Sequence, residues 1–266
     1  MMEEAMSKLS DQTWVSDQYK NASNLQARIG LHERFSTNKY DWHRWVFDRL
    51  DLPPQSRILE LGCGSGLLWT KNQDRIPAGW EITLSDLSPG MLREAQDNLQ
   101  VIHRFFRYEI VDAQAIPFDD ETFDAVIANH MLYHVPDRSK AFSEVHRVLK
   151  AKGYFYAATN GQAAPSGSVG IRDWITKSGI CTGFEGFSLE TGGTELSQRF
   201  SVVTQHRYED SLAVTEVKPL IDYIRSDKHL SDEEIQELEQ VVEREIALHG
   251  VIQIPKAPGM FISQKV

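Results

Sequence analysis

The chain reads as an α/β protein built on a doubly wound parallel sheet, and three features lead there. Short β-branched and leucine-rich runs alternate with helical stretches from about residue 57 to residue 158, the pattern of strands joined by crossover helices. One of these runs, FDAVIA at 123–128, is almost continuously apolar, as a strand covered on both faces should be. The first run, Ile58-Leu59-Glu60-Leu61, breaks directly into glycines at 62, 64 and 66, a turn without side chains that feeds a helix.

The elements follow in order. Residues 11–50 are helical and aromatic, with Trp14, Tyr19, Phe35, Tyr40, Trp42, Trp45 and Phe47. Trp42, Trp45, Val46 and Arg49 recur every three to four residues, so this stretch packs on the main body, and plain packing is the preferred reading of both tryptophans. Residues 1–50 are therefore expected to form an N-terminal helical cap, and 51–266 the main domain, with Pro53-Pro54 at the junction. Strands are expected near 57–61, 80–85, 107–111, 123–128 and 154–158, with helices opening at Ser88-Pro89 and spanning about 138–149. Beyond Asn160 the regularity breaks. A loop at 161–170, a helix near 169–178 and a region with Gly183, Gly186, Gly192 and Gly193 precede a strand at 201–208 and a helix at 218–225. An acidic amphipathic helix at 231–248 opens with a capping box, Ser231 and Glu234. It reads as a solvated outer face, the other reading being a lid over the site, and a lid-like elaboration is expected somewhere within 161–255. Phe261-Ile262-Ser263 reads as a last edge strand.

Composition narrows the function. Of 266 residues, 41% are hydrophobic and 25% charged, as in an ordinary globular protein. The net charge of −10 argues against a nucleic-acid partner. Two cysteines offer neither a disulfide framework nor a metal cluster, and Cys63 serves the turn as a small residue. No apolar run approaches the ~20 residues of a membrane span. The acidic start lacks a signal-peptide core, so a cytoplasmic protein is expected.

The glycine spacing is G-x-G-x-G, with leucine at 67, and not the dinucleotide pattern G-x-G-x-x-G. Open α/β sheets bind ligands beyond the carboxyl ends of their strands. At those ends stand Glu60 and the glycines, then Asp86, then Asp112-Ala113, then Asn129 and His130. Asp86 is placed to accept both hydroxyls of a ribose, and Asp112 to accept from an adenine amino group. The ordered set suits one adenosine-bearing ligand. His130 and His134 follow the fourth strand; their spacing is not a metal pair, His134 reads as structural, and His130 is the candidate general base.

Four segments, ILELGCGSG, TLSDLSPGML, VDAQAIPFDDETFDAVIANHMLYHVPD and AFSEVHRVLKAKGYF, resemble the class I S-adenosylmethionine-dependent methyltransferases, in particular the small-molecule group of ubiquinone/menaquinone-biosynthesis enzymes. One departure is Ala151-Lys152-Gly153, where such proteins often have Pro-Gly-Gly. The resemblance implies a Rossmann-like, seven-stranded sheet with its last strand antiparallel, N-terminal helices and a C-terminal helical elaboration. It implies S-adenosyl-L-methionine as cofactor, with Glu60, Gly62, Cys63, Gly64 and Gly66 at its methionine end. Asp86 would hold the ribose, Leu87 and Met91 would border the adenosine, and Asp112 and Ala113 would meet the adenine. Asn129 would line the methyl side, and Tyr19 and Arg28 are candidates to meet the cofactor carboxylate. The expected activity is methyl transfer to a small-molecule acceptor by in-line displacement. A methyltransferase acting on protein or RNA, or a non-catalytic cofactor-binding module, are the alternatives. Oligomeric state and the acceptor atom are not written in these motifs.

Overall fold

The structure is a computed structural model that describes residues 23–102, 104–163, 186–226 and 230–266. Trp14, Tyr19, Gly183 and the helix expected near 169–178 lie outside the described residues.

Helices α1 (Ser23–Phe35) and α2 (Trp42–Phe47) precede strand β1 (Arg57–Leu61). The short helix α3 (Leu67–Thr70), strand β2 (Glu81–Asp86), helix α4 (Pro89–Leu99) and strands β3 (Arg107–Ile110) and β4 (Phe123–Asn129) follow. A 3₁₀ turn (Leu132–His134), helix α5 (Arg138–Val148) and strand β5 (Leu149–Asn160) complete the alternating half. Then come α6 (Gly192–Leu196), β6 (Val202–Arg207), β7 (Asp210–Val214), α7 (Val217–Ser226), α8 (Asp232–His249), β8 (Ile252–Lys256) and β9 (Pro258–Gln264).

Seven strands form one sheet in the order β3-β2-β1-β4-β5-β9-β6. The pairs from β3 to β5 are parallel, while β9 runs antiparallel to both β5 and β6. The expected seven-stranded, doubly wound sheet is therefore present, with one correction. The segment around Phe261 is not an edge strand: β9 is inserted between β5 and β6, and β6 forms the edge. Its burial explains this, because Met260 and Phe261 are fully enclosed and need strands on both sides to satisfy their backbone groups.

Alternation along the strands divides the core. Leu59, Leu61, Val126 and Ala128 point to one face with Phe142, Phe155, Phe187 and Phe261. Ile58, Ala125 and Ile127 point to the other, with Trp45, Trp69 and Trp80. A third core lies apart from these: Leu31 and Phe35 of α1 pack with Leu212, Leu220, Ile224, Leu238, Val242 and Ile254. The two ends of the chain thus build one accessory layer from α1, α7, α8 and the antiparallel ribbon β7–β8.

Neither ribbon strand was apparent in the pattern, and Pro255 inside β8 argues locally against a strand. The ribbon tolerates it because Pro255 faces Ser211 in a two-stranded unit anchored through Ser36↔Leu212 to the end of α1. Helix α8 carries the expected capping box and ends at Gly250, in the left-handed region at φ 75°. It buries Ile235, Leu238 and Val242 and turns its acidic side outward. Among the described residues no helix is long and apolar enough to cross a membrane.

Candidate active site

The glycine turn is held open by its backbone. Gly62, Gly64 and Gly66 have φ of 65°, 53° and 77°, a region that side chains disfavour. A Cβ at Gly62 would stand 2.7 Å from Met131 Cβ, and one at Gly66 2.9 Å from Leu99 Cδ1. The loop is tied down on three sides: Cys63 N–H donates to the Ser85 carbonyl at 2.8 Å, Asn98 Nδ2 to the Ser65 carbonyl at 3.0 Å, and Gly64 N–H to Asp86 Oδ2 at 3.0 Å. A main-chain rim therefore faces a cavity of about 710 Å³ that extends from the strand ends to the accessory layer.

Every candidate among the described residues, apart from Gly66, lines this cavity: Glu60, Gly62, Cys63, Gly64, Asp86, Leu87, Met91, Asp112, Ala113, Asn129, His130 and Arg28. Gly66 stands outside the lining, at the N-cap of α3. Tyr19 lies outside the described residues. Asp86 accepts from Gly64 N–H and, at 2.9 Å, from Ser88 N–H; burial raises its carboxyl above the usual range against the pull of those amides. Asp112 accepts from the Gln114 backbone N–H at 2.8 Å and from its side-chain amide, so Gln114 fixes the carboxylate at the cavity wall.

Glu60 is buried beneath the loop, where its Oε2 accepts from Trp69 Nε1 at 2.6 Å. Burial drives its pKa up to about 8; the indole bond opposes this and Asp86 adds to it. Burial also pushes the Cys63 thiol up, with Glu60 and Asp86 beside it, which keeps it an inert thiol.

Arg28, His32, Trp42, Tyr208, Tyr223, Lys256 and Asp210 line the opposite end, beside His130. Trp42 is the clearest departure from the sequence reading. It stacks on Trp45 with centroids 5.1 Å apart, as a packing residue would, but it also donates to Asn129 Oδ1 at 3.2 Å and lies 5.0 Å from the His130 ring. It is a wall of the cavity, whereas Trp45 is core. His130 has φ 57°, uncommon for a side-chain-bearing residue, and its backbone N–H donates to the Ala158 carbonyl at 3.1 Å. Burial, helped by the charge of Lys256, holds the imidazoles of His130 and His32 down to about 3, so both are neutral near pH 7.

His32, Lys256, Asp210, Tyr208 and Tyr223 were not singled out from the sequence. A signal existed for His32, since it stands four residues after Arg28 on one side of α1. Lys256 carried none. It arrives from β8, pairs across the ribbon with Asp210 at 2.7 Å, and is almost enclosed.

The strand-end half of the cavity fits a sulfonium nucleoside. The glycine turn leaves main chain at the surface, Asp86 and Asp112 supply fixed carboxylates, and Met91 and Ala113 supply apolar walls. Comparison with known proteins agrees. Residues 59–157 match the family described as a methyltransferase domain. A ubiquinone/menaquinone biosynthesis C-methyltransferase from Idiomarina loihiensis is 33% identical over 114 residues, 42% of this chain and 45% of that protein. The chain spans about half the length of the curated relatives it matches. Among solved structures, a Haemonchus contortus phosphoethanolamine N-methyltransferase in complex with S-adenosyl-L-methionine superimposes with a TM-score of 0.57 at 16% identity, covering 97% of this chain and 59% of that one. A SAM-dependent methyltransferase from Methanosarcina mazei gives 0.52 at 18% identity, covering 81% and 94%. At these identities the structures share the fold. Residues 59–157 are thus similar to a methyltransferase domain, and the whole chain shares its fold with S-adenosylmethionine-dependent methyltransferases.

Proposed function

We propose that the protein transfers a methyl group from S-adenosyl-L-methionine to a small molecule held at the Arg28–Lys256 end of the same cavity. The observation that carries this reading is the continuity of that cavity, from Asp86 and the glycine turn past Asn129 to a second end walled by aromatic and basic side chains. Asp86 would hold the ribose, Asp112 and Ala113 the adenine side, and Glu60 with the glycine turn the methionine end. When bound, the cofactor supplies a methyl group already activated on a sulfonium, so the protein needs no electrophile of its own.

What the chain contributes is position and dryness. Trp42, braced on Trp45 and bonded to Asn129, fixes the wall at the middle of the cavity. Holding two reactants aligned at ~3–3.5 Å is worth up to ~7–11 kcal/mol of barrier. His130, neutral and held to about 3, takes a proton poorly at pH 7. Its role in this reading is to orient the acceptor, which suits an acceptor atom that is already nucleophilic.

Incubation of the protein with methyl-labelled S-adenosyl-L-methionine and a metabolite extract tests the reading. Label in low-mass products supports it. Label confined to protein or RNA overturns the small-molecule acceptor, and tight cofactor binding without any labelled product overturns the transfer itself.

A further inference from the structure

Trp42 and Asn129 meet at the middle of the cavity and, granted the proposed function, the chemistry of their contact limits what the acceptor can be. Asn129 closes β4, where its backbone pairs in register with Ala158 of β5. The next residue, His130, is held through its N–H to the Ala158 carbonyl. The sheet thus fixes the main chain here, and the side-chain amide is what can still turn. Trp42 is fixed as well. It opens α2 directly after the cap residue Asp41, stacks on Trp45 at 5.1 Å and meets Tyr208 edge-on at 5.3 Å. Trp45 is braced in turn by the Arg49 guanidinium, 3.5 Å from its ring centroid.

The contact between them has one polarity. An indole N–H only donates, and of the two halves of an amide only the carbonyl accepts. The 3.2 Å bond from Trp42 Nε1 therefore sets the carbonyl of Asn129 toward α2 and its NH2 group away from it. Asn129 lines the cavity and is partly exposed there. Among the described residues its Nδ2 takes no hydrogen bond. An amide donor without a partner is costly once a ligand displaces the water around it. The NH2 group at the middle of the cavity thus needs a lone pair from whatever fills the space beside it.

The two residues belong to different parts of the chain. Asn129 lies inside the matched segment 59–157, and Trp42 lies before it. A residue of the N-terminal helices thus sets the polarity of a residue of the sheet. Without an indole opposite, the same asparagine could turn its carbonyl to the cavity and accept from an amine or a hydroxyl.

We propose that Trp42 is a positioning residue, turning the Asn129 amide so that its NH2 group holds an oxygen of the acceptor molecule. The acceptor is then a compound with a carbonyl, ether or phenolic oxygen beside the atom that is methylated.

The initial rate of label transfer from saturating methyl-labelled S-adenosyl-L-methionine into low-mass products of a metabolite extract reads the effect. Trp42→Phe keeps a stacked ring and removes the N–H. It should slow transfer about 3- to 10-fold, the scale of one neutral hydrogen bond. Asn129→Asp keeps an oxygen for the indole and puts a second oxygen where the NH2 group stood, so it should slow transfer at least ~10-fold. The double variant should be no slower than Asn129→Asp, because Trp42 acts through Asn129. Additive losses would make Trp42 a packing residue and overturn the proposal. A loss of S-adenosylhomocysteine affinity in Asn129→Asp as large as its loss of rate would put the amide on the cofactor and overturn it too. The contact itself is read without turnover. In heteronuclear NMR spectra the Trp42 indole N–H, assigned by its absence from Trp42→Phe, should exchange with solvent more slowly in the wild type than in Asn129→Ala. Equal exchange in the two overturns the proposal. A slowly exchanging indole in protein that labels no low-mass product strikes the proposed function instead.

Discussion

Glu60 ends β1 with its carboxyl turned into the core against the Trp69 indole. With its pKa held up to about 8, the folded protein keeps a proton that the unfolded chain, titrating near 4.3, gives up. The folded state binds the extra proton between those values, so this residue removes stability as pH rises toward 8. His32 and His130 act the other way. Both are held to about 3, so the unfolded chain gains protons below about 6.5 that the folded state refuses. Between pH 6.5 and 8 the Glu60 effect stands alone of the three, at no more than about 1.4 kcal/mol per pH unit. A melting temperature that falls across this window, and a flatter profile for Glu60→Gln, are the expected results of a thermal scan; an unchanged slope in the variant removes Glu60 as the cause. In the proposed reading Asp86 acts on the ligand. Asp86→Ala should weaken S-adenosylmethionine about 10- to 100-fold, the loss of a charge-assisted contact, and calorimetry showing an unchanged constant takes Asp86 out of the site.

The elements divide into those that announce themselves locally and those set by partners elsewhere. Strands β1, β2 and β4 were legible because each apolar run ends in polar chemistry at its carboxyl end, and Ser88-Pro89 marked the start of α4, where Ser88 now caps Met91 N–H. The strand-end wall of the cavity was legible for the same reason. The position of β9 was not, because a short run such as Phe261-Ile262-Ser263 does not say how many neighbours it has. Trp42 was assigned to packing by its spacing with Trp45, and its contacts with Asn129 and His130 at the cavity wall separate the two. Two element-scale predictions follow from this division. Gly62→Ala places a Cβ against Met131 at φ 65° and should abolish measurable cofactor binding even in protein that still folds, as circular dichroism would report. Ser231→Ala removes one side of the capping box on α8 and should cost ~1 kcal/mol in urea denaturation. Because α8 contributes no residue to the cavity lining, the same variant should keep its affinity for S-adenosylhomocysteine. A loss of affinity there would favour the lid over the solvated outer face.

At the scale of the whole molecule, the cavity lies at a seam. One side is the sheet with its glycine turn; the other is the accessory layer that α1 forms with α7, α8 and the β7–β8 ribbon around its own core. The sheet side comes from neighbouring residues in the chain, which is why its chemistry could be read in order. On the accessory side Arg28 and His32 line the same cavity as Lys256 because α1 and the β7–β8 ribbon fold together, so no local pattern records it. In the proposed reading the donor is bound by the part of the protein that matches its relatives, and the acceptor by the part outside the matched residues. The most direct test of this division is calorimetric titration of S-adenosylhomocysteine into wild-type protein and the Asp86→Ala and Lys256→Arg variants. One site per chain, weakened by Asp86→Ala and kept by Lys256→Arg, is the predicted result. No saturable binding to the wild type, or equal loss in both variants, would contradict the account.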